Sequence, residues 1–331
     1  MKKMSGINEH IQRAYAILDD EQLDRELVEK LSGLDGEDIL DLVSLANKVR
    51  AKYAPETHAC TIMNAQSGQC SEDCRFCAQS AHHEAAVDVY PLVGKDEIIE
   101  RARATHESGV SSFGIVTSGF GFKEIDSTFQ RILDGIDTIH DQFPEMNVCA
   151  SLGILSEETA TALASRDIAH YNINIQTNPS RYAELVSRTH RVEERMETVR
   201  LLKKRGVGVC CGGIMGLGET MADRIEMAYA LKELDVDVIP LNVLIPIKGT
   251  ALQTQSNLSA AEIARTFALF RLINPYKTIK FAAGRETRMN DFQGLLMLAG
   301  ANGLLTGGYL TTRGRDTEQD EVFLKDLEGF G

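Results

Sequence analysis

His58-Ala-Cys-Thr-Ile-Met-Asn-Ala65 and, just after it, Gln69-Cys-Ser-Glu-Asp-Cys-Arg-Phe-Cys-Ala78 decide how the chain folds. The first run is short, apolar and β-prone, as a buried strand should be. An open, doubly wound α/β sheet would place a phosphate loop after its first strand. This chain places cysteines there. Cys70, Cys74 and Cys77 form a C-x3-C-x2-C triplet, with Phe76 just before its last member. Three thiolates so close together can hold three corners of a cubane iron–sulfur cluster and leave the fourth iron free for a small molecule. The alternative is a zinc knuckle that recruits His82 or His83, although zinc sites favour C-x2-C pairs.

Outward from this stretch, short apolar strands alternate with amphipathic helices. The pattern predicts strands near 58–65, 111–117, 147–152, 169–176, 206–215, 237–244, 278–283 and 303–308. Helices are predicted at 95–106, 127–143, 157–165, 191–204, 219–234, 260–272, 289–299 and 318–327. Eight β–α units in about 270 residues give an α/β fold of the (β/α)8, TIM-type barrel class. Residues 1–55 read as an N-terminal helical extension, with apolar spacing at 21–31 and 37–53 and a stop near Pro55. Residues 56–331 read as the catalytic barrel. Loops at the carboxyl ends of barrel strands carry the chemistry, so the cysteine loop belongs at that rim.

The net charge of −13, with no Lys/Arg cluster to offset it, argues against a nucleic-acid partner. Residues 1–20 lack an apolar core, so no secretory signal is expected. The long uncharged stretch 292–312 raises a membrane question. Its glycines, Gln293 and Asn302 make it read better as helix, turn and strand, and no membrane span is expected. Seven cysteines without a secretory signal point to metal or catalytic use in a reducing cytoplasm.

The remaining cysteines, Cys60, Cys149, Cys210 and Cys211, all fall on predicted strands. Cys60 should point into the barrel below the rim or into the helix layer behind it. In Gly206-Val-Gly-Val-Cys-Cys-Gly-Gly-Ile214 the odd positions Val207 and Val209 suit the helix-facing side. That parity turns Cys210 to the lumen and Cys211 to the helices, unless a bulge shifts the register. Cys149 can point inward with Ser151. Buried free cysteines are common small hydrophobes, yet four on inner strands favour a second iron–sulfur site. Gly212-Gly-Ile-Met-Gly-Leu-Gly-Glu219 lacks the third glycine of a dinucleotide fingerprint. It suits either a backbone passing close to an adenine, with Ile214 on the ring face, or a plain strand-to-helix turn. Asn172 and Asn174 share a strand face; their amides either grip a urea-like ring or a ribose, or are satisfied by backbone.

The triplet with Phe76 resembles the signature of radical S-adenosylmethionine (AdoMet) enzymes. Together with Tyr171-Asn-Ile-Asn174, Pro240-Leu-Asn242, Lys248-Gly-Thr250, Ala283-Gly-Arg-Glu286, Ala299-Gly-Ala-Asn302 and Leu310-Thr-Thr312, the chain resembles the biotin synthase family from about 57 to 327. That resemblance implies sulfur insertion into dethiobiotin by 5′-deoxyadenosyl radicals, with the sulfur drawn from a second cluster deep in the barrel. It also implies a small electron-transfer protein as reductant, and a homodimer. Cys70, Cys74 and Cys77 would hold a [4Fe–4S] cluster. Phe76, Asn174, Arg195 and Ile214 would line the AdoMet site, with Arg195 on its carboxylate. Gln176 stands where the family has an aspartate for the ribose. Asn172, Asn174 and Asn242 would contact the ureido ring, and Thr311 and Thr312 the carboxylate tail.

The better-known form of the family holds a [2Fe–2S] cluster on three cysteines and an arginine. Cys149 and Cys210 match two of those ligands, whereas Gly114 and Lys280 replace the other two. Cys60 stands where a nearby serine is found in that form. The expectation is therefore a four-iron auxiliary cluster, [4Fe–5S] or [4Fe–4S], on Cys60, Cys149 and Cys210, with Cys211 as a possible fourth ligand. Rival readings are another radical AdoMet enzyme on this barrel, such as a maturase or a methyl-transferring relative, and a zinc-binding interaction protein. The Asn172, Asn174 and Asn242 set argues against the first.

Overall fold

The computed structural model describes residues 6–308, 310 and 314–330. Eight parallel strands form the barrel. They are β1 (His58–Gln66), β2 (Ser112–Thr117), β3 (Asn147–Ser151) and β4 (His170–Asn172), then β5 in two pieces (Gly208–Cys210 and Gly213–Met215), β6 (Val238–Val243), β7 (Thr278–Phe281) and β8 (Gly303–Leu305). Each pairs with the next in chain order, and β8 pairs with β1 to close the ring.

The helices that wrap the barrel start where side chains can satisfy their free N–H groups. Asp126 accepts from the Phe129 N–H at 2.7 Å. Ser156 and Thr159, and likewise Thr220 and Asp223, form reciprocal capping boxes. The N-terminal helices Arg25–Ser32 and Asp38–Tyr53 pack on the helix Ala260–Ile273, and one continuous apolar core runs from Ile11 to Leu304. Arg271, fully buried on that helix, donates to the Gly300 carbonyl and to Asn302 Oδ1, both at 2.8 Å. Asn302 Oδ1 also accepts from the Ile279 N–H, and Asn302 Nδ2 donates to the Glu56 carbonyl. The Ala299-Gly-Ala-Asn302 motif thus seals the barrel between β7, β8 and the entry to β1.

Two strand expectations are corrected. The predicted strand 169–176 is regular only over His170–Asn172, with an isolated bridge to Gly213 at Gln176, which takes a left-handed backbone (φ +68°). Its N–H donates to the Gly212 carbonyl, and its own carbonyl accepts from the Ile214 N–H. The predicted strand 206–215 breaks at Cys211 and Gly212, where a Cβ on Gly212 would lie 2.0 Å from the Pro240 carbonyl oxygen. That approach requires glycine. The predicted helix 289–299 is also divided, into Arg285–Met289 and Gln293–Leu298, around Asn290 at φ +46°. Among the described residues no helix is long and apolar enough to cross a membrane.

Candidate active site

The cysteine loop leaves β1 at the carboxyl-end rim. The Cys70 N–H donates to Gln79, the Ala81 N–H to Cys70, and the Cys77 N–H to Cys74. All three thiols are free. Burial pushes the Cys74 thiol up to about 12, against the pull of the Arg195 guanidinium. Burial also raises Cys77, opposed by the Gln79 and Ser80 N–H groups that favour its thiolate. Such thiols ionise when a soft metal takes them, so the donor set suits iron. His82 Nε2 is bonded to the Ser71 carbonyl and His83 Nε2 to the Cys74 carbonyl. The zinc alternative would have to draw its fourth ligand from Nδ1 of one of these rings. Among the described residues no three His, Cys, Asp or Glu side chains converge on a single ion. A cubane instead takes one thiolate per iron.

The loop is clamped to 184–190 by a network that sequence reasoning missed. Asp73 accepts from the Ser187 hydroxyl and from the Arg188 and Thr189 N–H groups, which hold its carboxyl down at about 2 in spite of burial. Glu72 accepts from Thr189 Oγ1 at 2.7 Å and pairs with His190 Nδ1 at 2.8 Å. His190 Nε2 lies 3.1 Å from Arg195 Nη2 and 2.7 Å from the Tyr182 hydroxyl. Burial, and then Arg195, lower the His190 pKa, so the ring is neutral near pH 7. A guanidinium can only donate, so Nε2 accepts and Nδ1–H donates to Glu72. The only local signal for this network is the pair of acidic residues inside the cysteine loop. His190→Ala removes the acceptor that orients Arg195. We expect AdoMet KM to rise about tenfold with kcat within about twofold, and His190→Gln to restore much of it. Steady-state kinetics at varied AdoMet reads this, and an unchanged KM removes the relay.

Above and below this network lies one cavity of about 800 Å3, walled by Phe76, Asn172, Asn174, Gln176, Arg195, Ile214 and Asn242 among others. Asn172 Nδ2 donates to Ser151 Oγ, and Asn174 Oδ1 accepts from the Gly212 N–H. Arg195 Nη1 donates to the Asn174 carbonyl. Asn242 bridges two strands, donating to the Gly213 carbonyl at 3.2 Å and accepting from the Ala283 N–H at 3.0 Å. Arg195 Nε and Gln176 Oε1 are buried without partners. Both would be satisfied by a polar ligand with a carboxylate and hydroxyls, which fits AdoMet. The Gly216–Leu217 turn is held by Glu219, whose carboxylate accepts both N–H groups at 2.7 and 2.6 Å and pairs with Arg224. The turn reading of that motif therefore stands beside the adenine reading. Thr311 and Thr312 lie outside the described residues.

Deeper in the same cavity are Cys60, Cys149 and Cys210. Cys149 is the register partner of both Gly114 and His170, and Cys210 that of Asn172. Burial pushes the Cys149 thiol up to about 12 and that of Cys210 higher still. Lys280 Nζ lies 3.3 Å from Cys60 Sγ. Burial alone would lower its pKa, but Cys60, Cys210 and Cys149 reverse this and hold the ammonium charged. A three-thiol set with a cation beside it fits a sulfide-rich anionic group. Cys211 is fully buried in the apolar core and is not part of the cavity wall. That placement agrees with the strand parity, which turns Cys211 to the helices, and sets it apart from the three cysteines of the wall. Lys280 is more than a lost ligand, since a lysine at an inward strand position implies an anionic partner.

Comparison with known proteins bears on this arrangement. Residues 66–231 match the radical SAM superfamily model, and residues 240–329 match the Biotin and Thiamin Synthesis associated domain. Biotin synthase of Chlorobium luteolum is 58% identical over 326 residues, covering 98% of each chain. That of Pelodictyon phaeoclathratiforme is 60% identical over 306 residues, covering 91% of each. Methylornithine synthase superposes with a TM-score of 0.81 at 18% identity, over 96% of both chains. A maturase of the [FeFe]-hydrogenase gives 0.80 at 16% identity, over 96% of this chain and 73% of that one. These two likenesses show the shared barrel. The high identity along nearly the whole length shows more: the chain belongs to the biotin synthase family of the radical SAM superfamily.

Proposed function

We propose that this protein converts dethiobiotin to biotin, with AdoMet as co-substrate and sulfur supplied from inside the barrel. The carrying observation is the single cavity that joins the cysteine loop at the rim, the asparagine-lined middle and the three deep cysteines. Cys70, Cys74 and Cys77 would hold a [4Fe–4S] cluster, which would supply the one-electron chemistry for cleaving AdoMet. Arg195, oriented by His190 and Glu72, receives the AdoMet carboxylate, while Gln176 faces the ribose and Phe76 and Ile214 flank the adenine side. Asn172, Asn174 and Asn242 orient the ureido ring, so that the carbons to be joined to sulfur face the deep end. The apolar parts of the wall exclude water from the path between them. Cys60, Cys149 and Cys210 would hold the auxiliary cluster, a four-iron type, [4Fe–5S] or [4Fe–4S], which would supply the sulfur. Lys280 balances the charge of their thiolates. A small electron-transfer protein acts as reductant, and the working form is a homodimer.

Anaerobically reconstituted protein given AdoMet, dethiobiotin and reductant should yield biotin and 5′-deoxyadenosine, both read by mass spectrometry. If dethiobiotin neither stimulates AdoMet cleavage nor becomes biotin, the substrate is wrong. Asn242→Ala should act twice. It removes a ring contact, worth about 1–3 kcal/mol or roughly 5- to 150-fold in dethiobiotin KM. It also removes two bonds that tie β6 to its neighbours, lowering the melting temperature by a few degrees. A melting shift with an unchanged dethiobiotin KM would leave Asn242 a strand clamp alone.

A further inference from the structure

The cavity does not stop at the deep cysteines. Its wall continues to the amino ends of the strands, where the inward positions are His58 on β1, Ser112 on β2, Asn147 on β3, His170 on β4, Val238 on β6 and Thr278 on β7, with Asp237 at the lip. Five of those six are polar, and His58 and Asn147 are exposed to solvent. Barrels of this type fill that layer with bulky branched side chains. Here Ser112 pairs in register with Asn147, and Gly114, the next inward residue of β2, pairs with Cys149. Gly114 has no side chain to close the way, and one layer separates solvent from the thiols. The charges run favourably for a small anion. Lys203 neutralises Asp237 at 2.9 and 3.1 Å, and Lys280 sits at the inner end, 3.3 Å from Cys60.

We propose that this lower mouth admits the hydrosulfide that reloads the donor group on Cys60, Cys149 and Cys210, adding there as a sulfide-level ligand with its proton lost to water and no change of oxidation state. Sulfur then arrives from the face opposite to AdoMet and dethiobiotin. The inference rests on the reading of the three deep cysteines as the seat of the donor. The rim end is walled by the groups that hold the two organic ligands, so a sulfur source entering there would have to wait for both to leave. The lower layer mixes short polar side chains with the imidazoles of His58 and His170, which pass a small hydrated anion and stop a substrate-sized molecule.

The test uses the reconstituted holoprotein, taken through one turnover, freed of reductant and given ferrous iron with isotope-labelled hydrosulfide. Labelled sulfide released by acid is read by mass spectrometry, and iron by Mössbauer spectroscopy. Uptake should continue with AdoMet and dethiobiotin bound at the rim. Ser112→Phe should slow it several-fold while AdoMet cleavage stays within twofold, and Asn147→Phe should do the same from the neighbouring strand. Uptake that stops when AdoMet and dethiobiotin are bound overturns the route, as does unaltered uptake in both variants. The occupancy comparison uses wild-type protein alone, so it decides the route even where a phenylalanine variant fails to fold. Wild-type protein that never holds iron at the deep cysteines overturns the donor reading itself, which is a distinguishable failure.

Discussion

Cys74→Ala should abolish 5′-deoxyadenosine formation from AdoMet, with or without dethiobiotin. Cys74 is buried at the centre of the loop, between Cys70 and Cys77, with Arg195 close enough to oppose the rise of its pKa. Alanine there removes one of three soft ligands, and the other two cannot hold a cubane in the face of solvent and chelators. The loop itself should survive. Its clamp runs through Glu72 and Asp73 to Ser187, Thr189 and His190, and none of those bonds uses the Cys74 sulfur. The variant should therefore fold, melt within a few degrees of wild type and lose about four irons per chain. Chromatographic assay of 5′-deoxyadenosine with iron quantitation checks both parts. Cleavage that persists in a folded variant lacking that iron would remove the triplet from the reaction.

The barrel is legible in the sequence because every strand run is short, apolar and followed by an amphipathic stretch, and the structure closes these runs into the expected ring. What the pattern does not convey is the break at Cys211 and Gly212. That break arises from the approach of the Pro240 carbonyl from the neighbouring strand, a contact distant in sequence. Parity nonetheless places Cys210 and Cys211 on opposite sides, because the break falls after Cys210 and leaves the two-residue alternation intact through it. The organisation around the cysteine loop is hidden for a related reason. Glu72 and His190 are more than a hundred residues apart, and nothing local to either signals that one orients Arg195 through the other. Asn242 shows a third limit. A motif position marks a residue that matters, but its amide already holds two backbone groups, so clamp and contact cannot be separated without the structure.

Cys60→Ser should keep 5′-deoxyadenosine formation and lose biotin formation. The rim loop and Arg195 are untouched by the change, so AdoMet is still bound and cleaved. At depth the consequence is different, since serine is a hard, poorly ionised ligand in place of a soft sulfur that sits 3.3 Å from Lys280 Nζ. Iron should fall from about eight to about four per chain, the remainder being that of the rim loop. Cys210→Ser should behave in the same way, because its side chain shares the cavity with Cys60 and Cys149. Cys211→Ser should keep all the iron and instead cost stability. Its side chain is fully buried in the apolar core, where an unpaired hydroxyl is worth about 1–3 kcal/mol against folding. Mössbauer spectra and thermal melts on the three variants separate these outcomes. Wild-type protein loaded with about six irons would restore a two-iron donor on this barrel. Iron loss in Cys211→Ser beside retention in Cys210→Ser would show that the cluster draws on the opposite face of β5. A Cys60→Ser enzyme that makes biotin at the normal rate would mean that its thiol serves Lys280 alone, leaving the donor to Cys149, Cys210 and a ligand other than Cys60.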